Sequence, residues 1–444
     1  MPRLVLSALF PLAALTLSAA AQQPASLTGT WSIAFDYHGT PSYWALHLTD
    51  TGGKLTGDLD GDKLEGKLDR GHVTFHAIDP RGGYEDVDAT VSAGKMTGKV
   101  TWKEVGSDEI GTYDFTAVLP QPHTGPPQRH EFVPTEFHRQ FSAQTPPVMH
   151  IFPGDTLHTT TVDAGGFDEH GKHRSTGGNP ETGPFYVEGA LPGDTLVVHL
   201  VHLKLNRDTA ISDDGVVPRA TSNHMVIEGK DLGDQVTWKL DREKGVATST
   251  KPGDHLKPYT VPMKPMLGCI ATAPPAWQAI PTGDSGPWGG NMDFNEVVEG
   301  NTVYLPVINP GALLYIGDGH AAQGDGELNG NALETSMDVE ITVDLIHGHG
   351  PNSPRVVSPE KIMAMGLGGS LEDALKAATD NMSRWLAEDY HLKPSEIAQV
   401  LGTAAEYHIS EVADRNAGIV IELRKDRLAT IDKDAPETKK PEAK

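Results

Sequence analysis

The segment Ile316–Glu327, "IGDGHAAQGDGE", sets Asp318, Asp325 and Glu327 beside His320 and Gln323 among four glycines. Asp318 and His320 are two residues apart, so an extended chain sends both side chains out of one face. A hard carboxylate oxygen beside an imidazole nitrogen suits a divalent cation, Zn²⁺ above all. Asp325 and Glu327 repeat the spacing. A calcium loop fails by position: counted from Asp318 the fifth residue is Ala322, and counted from Asp325 the twelfth is Ser336. Spacing leaves two readings open, a metal or catalytic site and an acidic surface turn.

Other segments carry acids beside glycines. "GGNMDFNEVVEG" places Asp293 after Gly289 and Gly290, where the backbone can approach a ligand closely. "GGNPETGPFYVEGALPGD" carries Asn179, Thr182, Glu188 and Asp194, and "TTTVDAGG" carries Asp163, either a ligand or the turn that ends a strand. Nucleophilic side chains are poorly represented. Cys269, the only cysteine, lies in the apolar "KPMLGCIATAPP" and reads as buried and inert. Ser370 reads as a helix cap, and the chain holds no Gly-x-Ser-x-Gly elbow, His-Glu-x-x-His or paired Cys-x-x-Cys motif. The nucleophile expected is therefore water, activated by a metal with a carboxylate to move protons.

The elements that must hold these residues are mostly strands. Glycine (48) and proline (33) are frequent in the 444 residues, and helix-type periodicity is confined to the C-terminal part. Residues 1–21 combine Arg3, an apolar run from Leu4 to Leu17 and Ala19-Ala20-Ala21, which predicts a cleaved export signal and a periplasmic or extracellular protein without a membrane anchor. Residues 27–119 predict about eight short antiparallel strands closing into a barrel or sandwich. Their opening "LTGTW" resembles that of a lipocalin-like barrel. A proline-rich linker, 120–131, leads to a larger β-rich domain at 132–428, in which "PGDTL" at 153–157 and 192–196 predicts two related hairpins. Leu371, Leu375, Ala378, Met382, Trp385 and Leu386 mark the buried stripe of a helix capped by Ser370, and a second helix starts near Pro394. The charged tail, 429–444, predicts disorder. A balance of 60 acidic to 36 basic residues, net −24, argues against nucleic acid or an anionic membrane as partner.

Taken in order, "PGDTLHTTTVDA", "GGNPETGPFYVEGALPGDTL", "PMLGCIATAPP", "GGNMDFNEVVEGNTVYLPV" and "PGALLYIGDGHAAQGDGE" resemble the acetamidase/formamidase family, over residues 130–427 or so. The resemblance implies a mainly β fold with α/β elements, hydrolysis of a small linear amide to carboxylate and ammonia, and a homo-oligomer. It also implies a divalent metal, Zn²⁺ or alternatively Ca²⁺. Carried over by motif, His320, Asp293, Asp163 and Asp318 are the expected metal ligands. Glu188 or Glu327 is the expected general base, Asn179 or Gln323 the expected oxyanion donor, and Asp325 a further site residue. Two alternatives stand beside this one: a periplasmic small-ligand carrier with a catalytically inactive amidase-like domain, and a hydrolase of another non-peptide C–N bond.

Overall fold

The computed structural model describes residues 26–92, 94–120, 123–222 and 232–433, so the expected signal segment and most of the expected disordered tail lie outside the described residues. The chain divides into two compact units. In its first part eight strands close into an antiparallel barrel: β1 (Gly29–Tyr37), β2 (Thr40–Thr51), β3 (Lys54–Leu59), β4 (Asp62–Asp69), β5 (His72–Ile78), β6 (Tyr84–Ser92), β7 (Lys95–Lys103) and β8 (Ile110–Val118). Barrel rather than sandwich is the outcome because β1 returns to pair with β8, Phe35 opposite Phe115. Eight strands enclose a space that side chains can fill. Here Trp31, Ile33, Leu46, Leu55, Phe75 and Met96 fill it, each no more than 4% exposed.

Glu85 interrupts this apolar interior. It alternates with Val87 and Ala89 on the inward face of β6, and its Oε2 has no hydrogen-bond partner among the described residues. Burial, and after it the nearby Asp62 and Asp79, push its carboxyl up from 4.5 to about 7. The folded state therefore keeps the proton where the unfolded chain would lose it. The stability this contributes is complete below about pH 4.5 and disappears as pH rises through about 7. Glu85→Gln is accordingly expected to raise the melting temperature by a few degrees at pH 8 and to leave it nearly unchanged at pH 4. Melting curves at both values check this; an equal shift at both contradicts it.

The rest of the chain builds three larger sheets. A nine-stranded sheet runs in the order Glu406–Ile409, Ala417–Arg424, Lys361–Gly368, Arg355–Val357, Thr302–Pro306, Thr195–Leu205, Met337–Ile346, Thr156–Thr160, Arg129–Glu131. A six-stranded sheet runs Met149–Ile151, Thr182–Val187, Leu314–His320, Met266–Ala271, Gly289–Asn291, Ser285–Gly286, and a four-stranded sheet runs Thr209–Asp213, Gln235–Asp241, Val246–Ser249, Val261–Pro262. One apolar core, with Phe185, Leu196, Ile270, Ile316 and Ile341, joins the six- and nine-stranded sheets.

Two expectations are corrected in detail. The repeated Pro-Gly-Asp-Thr-Leu segments do form the same turn, with Asp155 accepting the Phe152 N–H and Asp194 the Leu191 N–H, both at 2.9 Å. They do not make two hairpins, however. Each turn launches a strand that pairs with the distant strand Met337–Ile346, so the repeat flanks one shared partner. In α1 (Leu371–Tyr390) Ser370 caps as expected, accepting the Asp373 N–H at 3.1 Å, but Leu371 and Leu375 are exposed while Ala374 and Ala378 are buried. Gly366 is the reason. A Cβ there would strike the backbone of Ala374 and Ala378, so the helix rests on its small residues rather than on its leading leucines.

Candidate active site

The strands Leu314–His320 and Met266–Ala271 run antiparallel inside the six-stranded sheet. Leu267 pairs with Gly319 and Cys269 with Gly317, which brackets Gly268 opposite Asp318. A Cβ on Gly268 would collide with Asp318 Oδ2 and lie 2.5 Å from Asp293 Oδ1 and 3.0 Å from His320 Cε1. A Cβ on Gly317 would collide with Glu181. These two glycines leave the space around which the acids gather. Asn179, Asp293, Asp318 and Glu327 all hold left-handed backbone, with φ between 44° and 53°. Asn and Asp tolerate that region better than Glu does, and its recurrence at four clustered residues marks a place where side-chain direction outweighs backbone comfort.

His320 is at the centre and fully buried. Gln323 settles its tautomer. The amide N–H groups of Gln323 donate to the backbone carbonyls of Asp293 and Ser410, so its Oε1 accepts from His320 Nδ1 at 2.9 Å. Nδ1 thus carries a proton and Nε2 faces the acids. Nε2 lies 3.1 Å from Glu334 Oε1, 3.3 Å from Asp318 Oδ2 and 3.9 Å from Asp293 Oδ1. None of these contacts has hydrogen-bond geometry, and Asp293 Oδ1, Asp318 Oδ1 and Glu334 Oε2 are also buried without a partner among the described residues.

Six carboxyl groups, those of Asp293, Asp318, Glu327, Glu334, Glu181 and Glu411, are each no more than 5% exposed. Burial, followed by Glu327 and Asp318, holds the Asp293 carboxyl well above its ordinary range. Burial does the same to Glu334 and Glu181, with Asp318 adding to both. Glu327 is pushed up to about 7, chiefly by burial. Burial opposes charge on the His320 ring, yet Glu334 and Asp318 outweigh it and hold the imidazole well above its usual range. Four buried acids around one imidazole, with Glu181 and Glu411 near them, require protons or a cation, since uncompensated charge in such a place costs several kcal/mol per ion. The orphaned oxygens, the unbonded Nε2 and the gap beside Gly268 fit a divalent cation. Two overlapping triads, Asp293–His320–Glu327 and Asp318–His320–Glu334, keep their ligand atoms within 4.8 Å of one another.

Of the residues expected from sequence, the structure brings together His320, Asp293, Asp318 and Glu327, with Gln323 and Asn179 beside them. Gln323 is not free to act as an oxyanion donor, because both its amide hydrogens are committed to carbonyls. It positions His320 instead. Three expected residues lie apart with partners of their own. Asp163 accepts from Arg207 Nη2 at 2.6 Å and from the Phe167 N–H at 2.9 Å, so its buried carboxylate is engaged in an ion pair and a turn rather than in the triads. Glu188 is partly exposed and 2.7 Å from His150 Nδ1. Asp325 points outward to Asn295 and His408. Cys269 is buried as expected, its thiol pushed up by burial and by Glu181.

Sequence reasoning missed Glu334, Glu181, Asn291, Glu411 and Asp414. The two-residue spacing applied to Asp318 and His320 would have found Glu181 from Asn179. Nothing local marks Glu334. It reaches the site because its backbone bridges to that of His320 across the intervening loop.

The β-rich part of the chain superposes on solved acetamidase structures. Residues 276–364 match the Acetamidase/Formamidase family. The structure of a predicted acetamidase/formamidase from the thermophile Thermoanaerobacter tengcongensis superposes with TM-score 0.59 and 26% identity, over 69% of this chain and 99% of that one. Among curated relatives, the formamidase of Methylophilus methylotrophus is 24% identical over 266 residues, 48% of this chain and 64% of its own length. The acetamidase of Mycolicibacterium smegmatis is 43% identical over 61 residues, 14% of this chain and 15% of its own length. The chain thus matches less than two thirds of each curated relative.

Proposed function

We propose that the chain hydrolyses a small linear carboxamide to carboxylate and ammonia with water as the nucleophile. The observation that carries this is His320 Nε2, oriented by Gln323 toward buried carboxylates of which Asp293 Oδ1, Asp318 Oδ1 and Glu334 Oε2 have no hydrogen-bond partner among the described residues. The family match at residues 276–364 supports the amide as substrate class. Either Asp293, His320 and Glu327 or Asp318, His320 and Glu334 would hold a divalent cation, which when bound lowers the pKa of water and polarises a carbonyl.

The chain's own groups supply the rest. A carboxylate not engaged as a ligand, Glu327 or Glu334, accepts the proton that water loses on attack. With Glu327 poised at about 7, the group can take and return a proton near neutral pH. Asn179 Nδ2, on the rim of the cluster, is 3.3 Å from Asp318 Oδ2 and 2.8 Å from Asn291 Oδ1, and it holds the Asp318 carboxylate in place. Burial excludes bulk water, which strengthens every one of these interactions.

Purified protein is expected to release ammonia from formamide or acetamide. Dialysis against a chelator should lower that rate at least about tenfold, and Zn²⁺ should restore it. Metal-replete protein that releases no ammonia from any short amide rules the proposal out.

A further inference from the structure

The loop of residues 410–416, between the strands Glu406–Ile409 and Ala417–Arg424, brings Glu411 and Asp414 to the cluster. The chemistry above uses neither. The loop is sewn to the His320-bearing segment: the Gly326 N–H donates to Ile409 O at 2.9 Å and the Val412 N–H to Gly326 O at 3.0 Å. On its other side Arg415 Nε is 3.0 Å from Asp284 Oδ1. The Arg219 guanidinium donates to the carbonyls of Arg415 and Asn416 at 2.8 and 2.9 Å. So held, Asp414 is half-buried, whereas the other acids of the cluster are no more than 5% exposed. Asp414 is the most exposed acid among them.

Asn291 ties it to the reacting centre. Its Nδ2 donates to Asp414 Oδ2 at 2.6 Å and to Asp293 Oδ2 at 2.7 Å, while its Oδ1 accepts from Asn179. Both amide hydrogens are thereby used, and Asn291 fixes the Asp414 carboxyl relative to Asp293. We propose that Asp414 is the catalytic acid that protonates the departing nitrogen, with Asn291 as its positioning residue. This rests on the amidohydrolase reading above.

Water oxygen forms the C–O bond as one of its protons passes to a buried carboxylate. The tetrahedral adduct then breaks its C–N bond, the electron pair leaves with nitrogen, and Asp414 gives that nitrogen a proton. The buried carboxylate returns its proton to solvent and Asp414 regains one, so the enzyme ends unchanged. The groups facing Asp414 are Glu411 on its own loop, Asp293, Asp318 and Glu327 of the cluster, and Asp284 and Arg219 from neighbouring segments. Five acids face it against one arginine, and with burial as the main cause the carboxyl is pushed up to about 6.

The test compares wild type, D414N and D414E on formamide and acetamide, following kcat, KM, the pH profile, metal content and melting temperature. D414N is expected to lose kcat about 100- to 10,000-fold with KM within about threefold, and to lose the alkaline limb of the profile. D414E is expected to recover at least about a tenth of the lost rate, with metal content and melting temperature near wild type in both variants. A D414N enzyme that keeps more than a tenth of wild-type kcat overturns the assignment. So does a rate loss shared by D414E with the profile unchanged, or one that tracks metal content or unfolding. If wild type itself releases no ammonia, the amidohydrolase reading fails, an outcome distinct from any of these.

Discussion

His320→Ala is expected to lower ammonia release by about a thousandfold or more and to cut bound divalent metal sharply. The size of the effect follows from three roles the ring combines. It offers Nε2 to the space that Asp293, Asp318 and Glu334 border. Its Nδ1–H engages Gln323, which in turn ties down the Asp293 and Ser410 carbonyls. It is also the one basic side chain in the metal-ligand triads of the cluster. Removing it leaves buried carboxylates without a counter-charge, which costs roughly 3–5 kcal/mol in comparable buried pairs. The metal-free variant should therefore melt well below wild type, and added metal should recover less stability than it does for wild type. Metal analysis of the purified variant, ammonia release and melting curves with and without chelator check this together. Wild-type activity at unchanged metal content would remove His320 from the site.

Gly268→Ala is the second large expected effect, although it replaces no acid, base or ligand. The added methyl would overlap Asp318 Oδ2 and sit 2.5 Å from Asp293 Oδ1, closer than real Cβ contacts come. Both carboxylates are buried, Asp318 on a strand and Asp293 held by the Asn291 amide, so neither can move aside cheaply. Overpacking of this kind costs about 1–3 kcal/mol of stability. The functional loss should be larger, about a hundredfold or more, because a displacement near 1 Å is enough to spoil a reacting geometry. The informative result is the combination of a modest fall in melting temperature with a steep fall in kcat and metal affinity. A variant that binds metal and turns over like wild type would show that the gap beside Gly268 is not the reacting space.

Much of the architecture was open to reading from residue order. Alternating apolar residues announced the barrel strands, since a period of two puts Trp31, Ile33 and Phe35 on one face whatever the sheet's partners are. Ser370 announced the start of α1 because a cap acts through its own first turn. The Asp318–His320 pair and Asp293 were legible for the same reason. Their chemistry is carried by neighbours along the chain, and glycines beside them signal close approach.

What spacing could not convey was which acids converge. Asp163 and Asp318 look equally suited to ligation until Arg207, 44 residues further on, folds back onto Asp163 and neutralises it. Glu334 carries no local mark, and only the backbone bridge to His320 places it beside Nε2. Asp414 arrives on a loop between the last two strands of the nine-stranded sheet, held by Arg219 and Asn291 from remote segments. Local pattern sets strand, turn and cap because those depend on neighbours within a few residues. Whether a carboxylate becomes ligand, acid or salt-bridge partner depends on burial and on the charges around it, and those are created by contacts between segments from 14 to nearly 200 residues apart in sequence.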